Sequence, residues 1–183
     1  MELPELVAAV DGLPQTDHAG DAFRHVAVGR SALSGEGARL FGGRWNPRHS
    51  FATLYLAGDV DTAVREFLRM ASKQGIAPEG FLPRTLFTYE VRLQKVADLR
   101  TAANQEAVGL LGSWLDNEDN TQCQLVGQAA HHAGYEAVLA PSAAGAGEVL
   151  AVFMDRLLPG SLIRDVGSEL WESVLPGSAS DSH

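Results

Sequence analysis

The strongest constraint on the fold is a change of hydrophobic period at Asp59. Upstream, ATLYLAG (residues 52–58) is a nearly continuous apolar run of strand length, the pattern of a strand covered on both faces. Downstream, DVDTAVREFLRMASKQG places Val60, Ala63, Val64, Phe67, Leu68 and Ala71 at helical spacing, with Asp59 as N-cap and Gly75 as the stop. A doubly covered strand running straight into a helix with one apolar stripe predicts helices packed on a sheet.

The other segments extend this picture. MELPELVAAVDGLP reads as a short helix, followed by a polar connection through Asp21. FRHVAV is a strand with Phe23, His25 and Ala27 on one side and Arg24, Val26 and Val28 on the other. TLFTYEVRLQ alternates Phe87, Tyr89, Val91 and Leu93 with Thr88, Glu90, Arg92 and Gln94, as an antiparallel strand wet on one face does. TQCQLVGQAAHHAG is a helix closing on Gly134, and YEAVLAP, EVLAVFM and SLIRDV are short strands. There is no regular βαβ repeat, so the expected class is α+β: a mixed, mostly antiparallel sheet with flanking helices. Residues 1–20 form an N-terminal extension, 20–175 a single domain, and 176–183 a disordered tail.

Composition excludes several function classes. A chain of 183 residues, 45% hydrophobic, buries a full core. No apolar run approaches the ~20 residues of a membrane span, and the N-terminus lacks the basic start of a secretion signal, so a cytoplasmic protein is expected. The single Cys123 rules out an internal disulfide framework or a cysteine zinc cluster. A net charge of -9 argues against direct nucleic-acid binding and requires any anionic ligand to be met by a few placed arginines. No Walker A, G-x-G-x-x-G or G-x-S-x-G pattern is present. His131 and His132 are adjacent on a helix and point in different directions, so no metal site is expected.

What remains is a set of polar residues at the ends of core elements, each with a structural and a functional reading. Arg44 follows two glycines in GGRWNP, where a guanidinium can clamp a phosphate or stack on Trp45. Tyr55 lies in the apolar strand, as a core aromatic or a wall for a ligand ring. Glu66 sits at the margin of the helix's apolar face, solvated or turned into a cleft. Thr121 precedes CQLVG as a helix N-cap or a ligand hydroxyl.

Taken together, FRHV, LSGEGARLFGGRWNPRHSFATLYLA, Glu66 in TAVREF, TQCQLVG and YEAVLAPSAAGAGEVLAVF resemble the RES domain, the toxin family of bacterial RES–Xre toxin–antitoxin pairs, over residues 20–165. The resemblance implies a fold similar to ADP-ribosyltransferases and attack on the nicotinamide–ribose bond of NAD, by phosphorolysis or hydrolysis. NAD is then a substrate rather than a cofactor, with inorganic phosphate as a possible co-substrate and no metal. It also implies catalytic roles for Glu66, Arg44 and Tyr55, and NAD contacts from Arg24, His25, Arg44, Tyr55, Thr121 and Ser142. His25 stands where relatives can place Tyr, and Thr121 where a Ser is expected. The implied partner is a cognate Xre-type antitoxin that covers the cleft and carries the DNA contacts. Two alternatives stay open: an ADP-ribosyltransferase modifying a host protein, and an inactive module that binds a partner through the same groove.

Overall fold

The structure, a computed structural model, describes residues 1–172, so the expected tail at 176–183 lies outside the described residues. In chain order the elements are α1 (Leu3–Asp11), β1 (Thr16–Ala27), α2 (Glu36–Phe41), β2 (Thr53–Ala57), α3 (Val60–Lys73), a 3-10 turn (Pro78–Phe81), β3 (Arg84–Asp98), α4 (Ala102–Ala107), α5 (Thr121–His132), β4 (Ala137–Pro141), β5 (Glu148–Phe153) and β6 (Leu162–Trp171). No described helix is long and apolar enough to cross a membrane.

The strands pair in the order β1-β2-β5-β4-β3-β6, and β1 pairs with β3 as well, so five strands close into a barrel. Every pairing is antiparallel except β3 with β4. The long β3 makes closure possible. One edge carries β1, while the other carries β6 along Arg84–Arg92 and β4 at Val96–Asp98. The fold is thus of the expected α+β kind, with the sheet rolled on itself.

Three apolar clusters follow from this geometry. Leu54 and Leu56 of β2 point inward with Tyr89, Leu139, Leu150 and Val152, and these fill the barrel. Outside it, α1 and α5 cover β4 and β5 through Leu6, Val10, Val126 and Ala130 against Val138, Ala151 and Phe153. On another side α3 buries Ala63 and Phe67 against Ala57, Leu86 and Trp171. The unbroken apolarity of β2 therefore has the expected cause: Leu54 and Leu56 face the barrel, and Tyr55 and Ala57 face the outer layers.

Several segments differ from the sequence reading, among them α4, the 3-10 turn and the longer β6. β1 starts at Thr16, seven residues before the apolar stretch, because its backbone ladder with β3 runs on to Thr16↔Val96 whatever the side chains. The glycine-rich stretch holds a six-residue helix, α2. Asp59 caps α3 as the sequence indicates, its Oδ1 accepting from the Thr62 amide at 2.6 Å.

Glu136, just before β4, ties three segments together. It is fully buried and its carboxylate accepts from the amides of Gln94 (2.6 Å), Lys95 (2.9 Å) and Leu158 (2.9 Å). Burial alone pushes its pKa up, but the hydrogen bonds from Ser161 and these amides outweigh burial and hold it below the usual glutamate range.

Candidate active site

The GGRWNP turn is built before it can do anything. Asn46 is fully buried, and its side-chain amide donates to the Ala38 carbonyl at 2.8 Å. The Tyr55 hydroxyl donates to Asn46 Oδ1 at 2.8 Å and accepts from the Trp45 amide at 2.9 Å. Gln124 of α5 donates to the Gly43 carbonyl at 2.9 Å. Both flanks are tight: a Cβ on Gly43 would lie 2.4 Å from the Tyr55 hydroxyl, and one on Gly127 of α5 would lie 1.8 Å from the Trp45 carbonyl oxygen. The turn is therefore clamped between β2 and α5, with Trp45 buried edge-on to Trp114 at 5.8 Å.

One consequence concerns Tyr55. Its hydroxyl is spent on the turn, and burial foremost raises its pKa well above the ordinary tyrosine value. Tyr55→Phe should cost about 1–3 kcal/mol, because it strands the Asn46 oxygen and the Trp45 amide. Denaturant unfolding of the variant checks this, and an unchanged midpoint would contradict it.

Arg44 is the side chain this clamp leaves over. It is half-buried, and its Nη1 donates to the Trp114 carbonyl at 3.4 Å. Cys123 on α5 lies beside it; burial pushes that thiol up, and the nearby guanidinium only partly opposes this. Thr121 opens α5, is exposed, and donates its hydroxyl to Asp119 Oδ1 at 2.6 Å. Trp114, Asp119, Thr121 and Cys123 line a cavity of about 270 Å³.

Glu66 projects from α3, half-buried, and Oε1 accepts from the Ser142 hydroxyl at 2.6 Å. Glu66, Arg69 and Lys73 fall at i, i+3 and i+7, so they share one stripe of the helix. That stripe meets the segment before α5, where Lys73 and Glu118 pair at 3.0 Å. The Lys73 hydrogen bond lowers the Glu118 pKa most, and Arg69 and Arg44 add to it from further away. Arg44, Arg69 and Lys73 thus all lie near Glu118, a local concentration of cations on a protein of net charge -9. Arg69 and Lys73 did not emerge as candidates from the sequence, although their spacing from Glu66 is readable in it.

Arg24 and His25 leave β1 on opposite faces, as strand alternation requires. Arg24 Nη1 donates to the Ser34 carbonyl at 3.1 Å and the Ala32 carbonyl at 3.3 Å, beside Tyr89 of the barrel interior. His25 faces α3 instead. It accepts at Nδ1 from Arg84 Nε at 2.9 Å, with Phe67 5.1 Å away and Trp171 6.0 Å away between ring centres. Burial, then Arg84 and Arg24, push its pKa down to about 3, so the ring is neutral near pH 7 and carries its proton on Nε2. Glu66 and Ser142 meet directly, and Arg44, Tyr55 and Thr121 gather around the turn and the start of α5. Arg24 stands apart, bound to the 32–34 loop.

A carboxylate held on one oxygen, with guanidinium and ammonium groups nearby, has the chemistry to hold a phosphate-bearing ligand and to stabilise positive charge developing on it. Comparison with known proteins gives this geometry a context. The family model described as the RES domain matches residues 18–170. NAD(+) phosphorylase MbcT of Mycobacterium tuberculosis is 37% identical over 159 residues, 86% of each chain, and that of Mycobacterium bovis matches equally. Among solved structures, the crystal structure of the M. tuberculosis MbcT–MbcA toxin–antitoxin complex matches with a TM-score of 0.81 and 32% identity, covering 92% of both chains.

Proposed function

This chain belongs to the RES domain family, and from that premise we propose that it is the toxin of a toxin–antitoxin pair that destroys NAD by transferring its ADP-ribosyl group to inorganic phosphate. The observation that carries this reading is the 37% identity to an NAD(+) phosphorylase over most of both chains. The Glu66 carboxylate held by Ser142 and the Arg44 guanidinium beside the start of α5 support it.

In the proposed reaction a phosphate oxygen attacks C1″ of the nicotinamide ribose while the C–N bond to nicotinamide breaks. The bonding pair passes to the pyridinium nitrogen, so nicotinamide leaves neutral and ADP-ribose 1″-phosphate forms. No metal or redox cofactor takes part in this scheme, since the cationic pyridinium is already a good leaving group. Arg44 would hold phosphate oxygens with its planar fork, and the Glu66 carboxylate would stabilise the oxocarbenium character that develops at C1″. Arg69 and Lys73 would add to the field that draws the dinucleotide in. The barrel with a glutamate-bearing helix on its outer face is read as a relative of the ADP-ribosyltransferase fold, acting in the cytoplasm.

The test is product analysis of purified protein incubated with NAD, with and without phosphate. The expected result is phosphate-dependent loss of NAD, yielding nicotinamide and the 1″-phosphate. Free ADP-ribose at a rate independent of phosphate would instead assign a hydrolase, and a labelled protein would assign a transferase. NAD left intact under every condition would overturn the reading. In cells, expression alone should arrest growth and lower NAD, and a cognate antitoxin should restore both. An acidic segment of that antitoxin is the complement that Arg44, Arg69 and Lys73 call for.

A further inference from the structure

The segment Ser142–Gly147, SAAGAG, carries no side chain large enough to hold it by packing, yet it delivers the hydroxyl that meets Glu66. Within the loop, the Ser142 amide donates to the Gly147 carbonyl at 2.9 Å, and the Ala144 amide donates to Ser142 Oγ at 3.0 Å. Ser142 is buried, and its one O–H goes to Glu66.

Two α3 side chains reach the Ala146 carbonyl from outside the loop: Thr62 Oγ1 donates to it at 3.5 Å, and Arg65 makes the shorter contact. Its Nη2 donates to the Ala146 carbonyl at 2.7 Å and to Thr62 Oγ1 at 2.9 Å. Thr62 is fully buried beneath the loop. Gly147 passes over it at φ +101°, where a Cβ would lie 2.0 Å from Thr62 Oγ1, so both the backbone conformation and the close approach need glycine. Among the described residues Arg65 pairs with no carboxylate; its charge is given to a neutral carbonyl. On the helix it lies about 100° from Glu66, off the stripe that Glu66 shares with Arg69 and Lys73.

We propose that Arg65 is a positioning residue for the reaction: by pinning the Ser142–Gly147 loop to α3 it makes the Ser142 hydroxyl fix the Glu66 carboxylate. The 2.6 Å contact is the length of a charge-assisted hydrogen bond. It occupies Oε1 and holds the rotamer, which leaves Oε2 as the oxygen presented to the ribose. This inference rests on the NAD-cleaving reading above.

A double-mutant cycle in the full chain tests it. Arg65→Ala should lower kcat about 10- to 100-fold while KM for NAD stays within about twofold, since the carboxylate is misplaced but the phosphate contacts are kept. Arg65→Lys, which retains one donor to the Ala146 carbonyl, should recover part of the loss and covers the case in which the alanine variant folds poorly. In a Ser142→Ala background, Arg65→Ala should cost less than about threefold more, because the loop no longer has a hydroxyl to deliver. Amide exchange over residues 143–147 should rise in Arg65→Ala. Fully multiplicative losses in the cycle, or a lower Tm with kcat unchanged, would overturn the proposal. A wild-type protein that leaves NAD intact would overturn the functional reading itself, and would be seen before any variant is compared.

Discussion

On the proposed reaction, Glu66→Gln should yield a folded protein that still binds NAD and turns it over roughly a hundredfold or more slowly, the scale of losing one preorganised electrostatic stabiliser. The substitution keeps the shape of the side chain, and an acceptor oxygen for the Ser142 hydroxyl, which now lies 2.6 Å from Oε1. What it removes is the negative charge that, in the proposed reaction, would face the oxocarbenium-like ribose. Because that charge acts in the transition state more than on bound NAD, kcat should carry the loss and KM should move little. Single-turnover kinetics beside calorimetric NAD binding separate the two. Near-normal turnover in folded Glu66→Gln would remove Glu66 from the chemistry.

The second large effect is on stability. Glu136→Gln should destabilise the fold by about 2–4 kcal/mol, because an amide NH₂ replaces one acceptor oxygen and at least one backbone N–H in a fully buried site loses its partner. The effect should depend on pH with a definite sign. The folded carboxyl titrates below the unfolded one, so the unfolded chain takes up the proton first as pH falls. The stabilisation is complete above the unfolded pKa of about 4.3 and fades as pH drops through it towards the folded value. The gap in unfolding free energy between wild type and Glu136→Gln should therefore be wide at pH 7 and narrow towards pH 3. A gap that is the same at both ends would show that the charge of Glu136 is not what the three amides read.

How much of this was legible beforehand depended on the range of the interaction. The capped helix α3, the doubly covered β2 and the alternating β3 were readable because each rests on backbone hydrogen bonding and side-chain period within a dozen residues. The Glu66, Arg69, Lys73 stripe was readable in principle by the same spacing. The early start of β1 was not, since the polar run Thr16–Asp21 is strand only because β3 offers it an edge.

The sequence by itself therefore determined the main helices and strands, the α+β class, the family resemblance and the identity of the polar residues near the core, all of which follow from local spacing or from motif. Only the tertiary structure decided how those residues are used. Closure of the barrel through β3 set β1 so that Arg24 turns to the 32–34 loop and His25 to α3. Folding of the glycine turn back onto β2 consumed the Tyr55 hydroxyl, α5 clamped the turn from the other side, and Arg44 was left over. Glu66 and Ser142 stand 76 residues apart in the chain. Their contact depends on where α3 and the loop after β4 come to rest, and that is set by burial summed over the whole core, which no local pattern encodes.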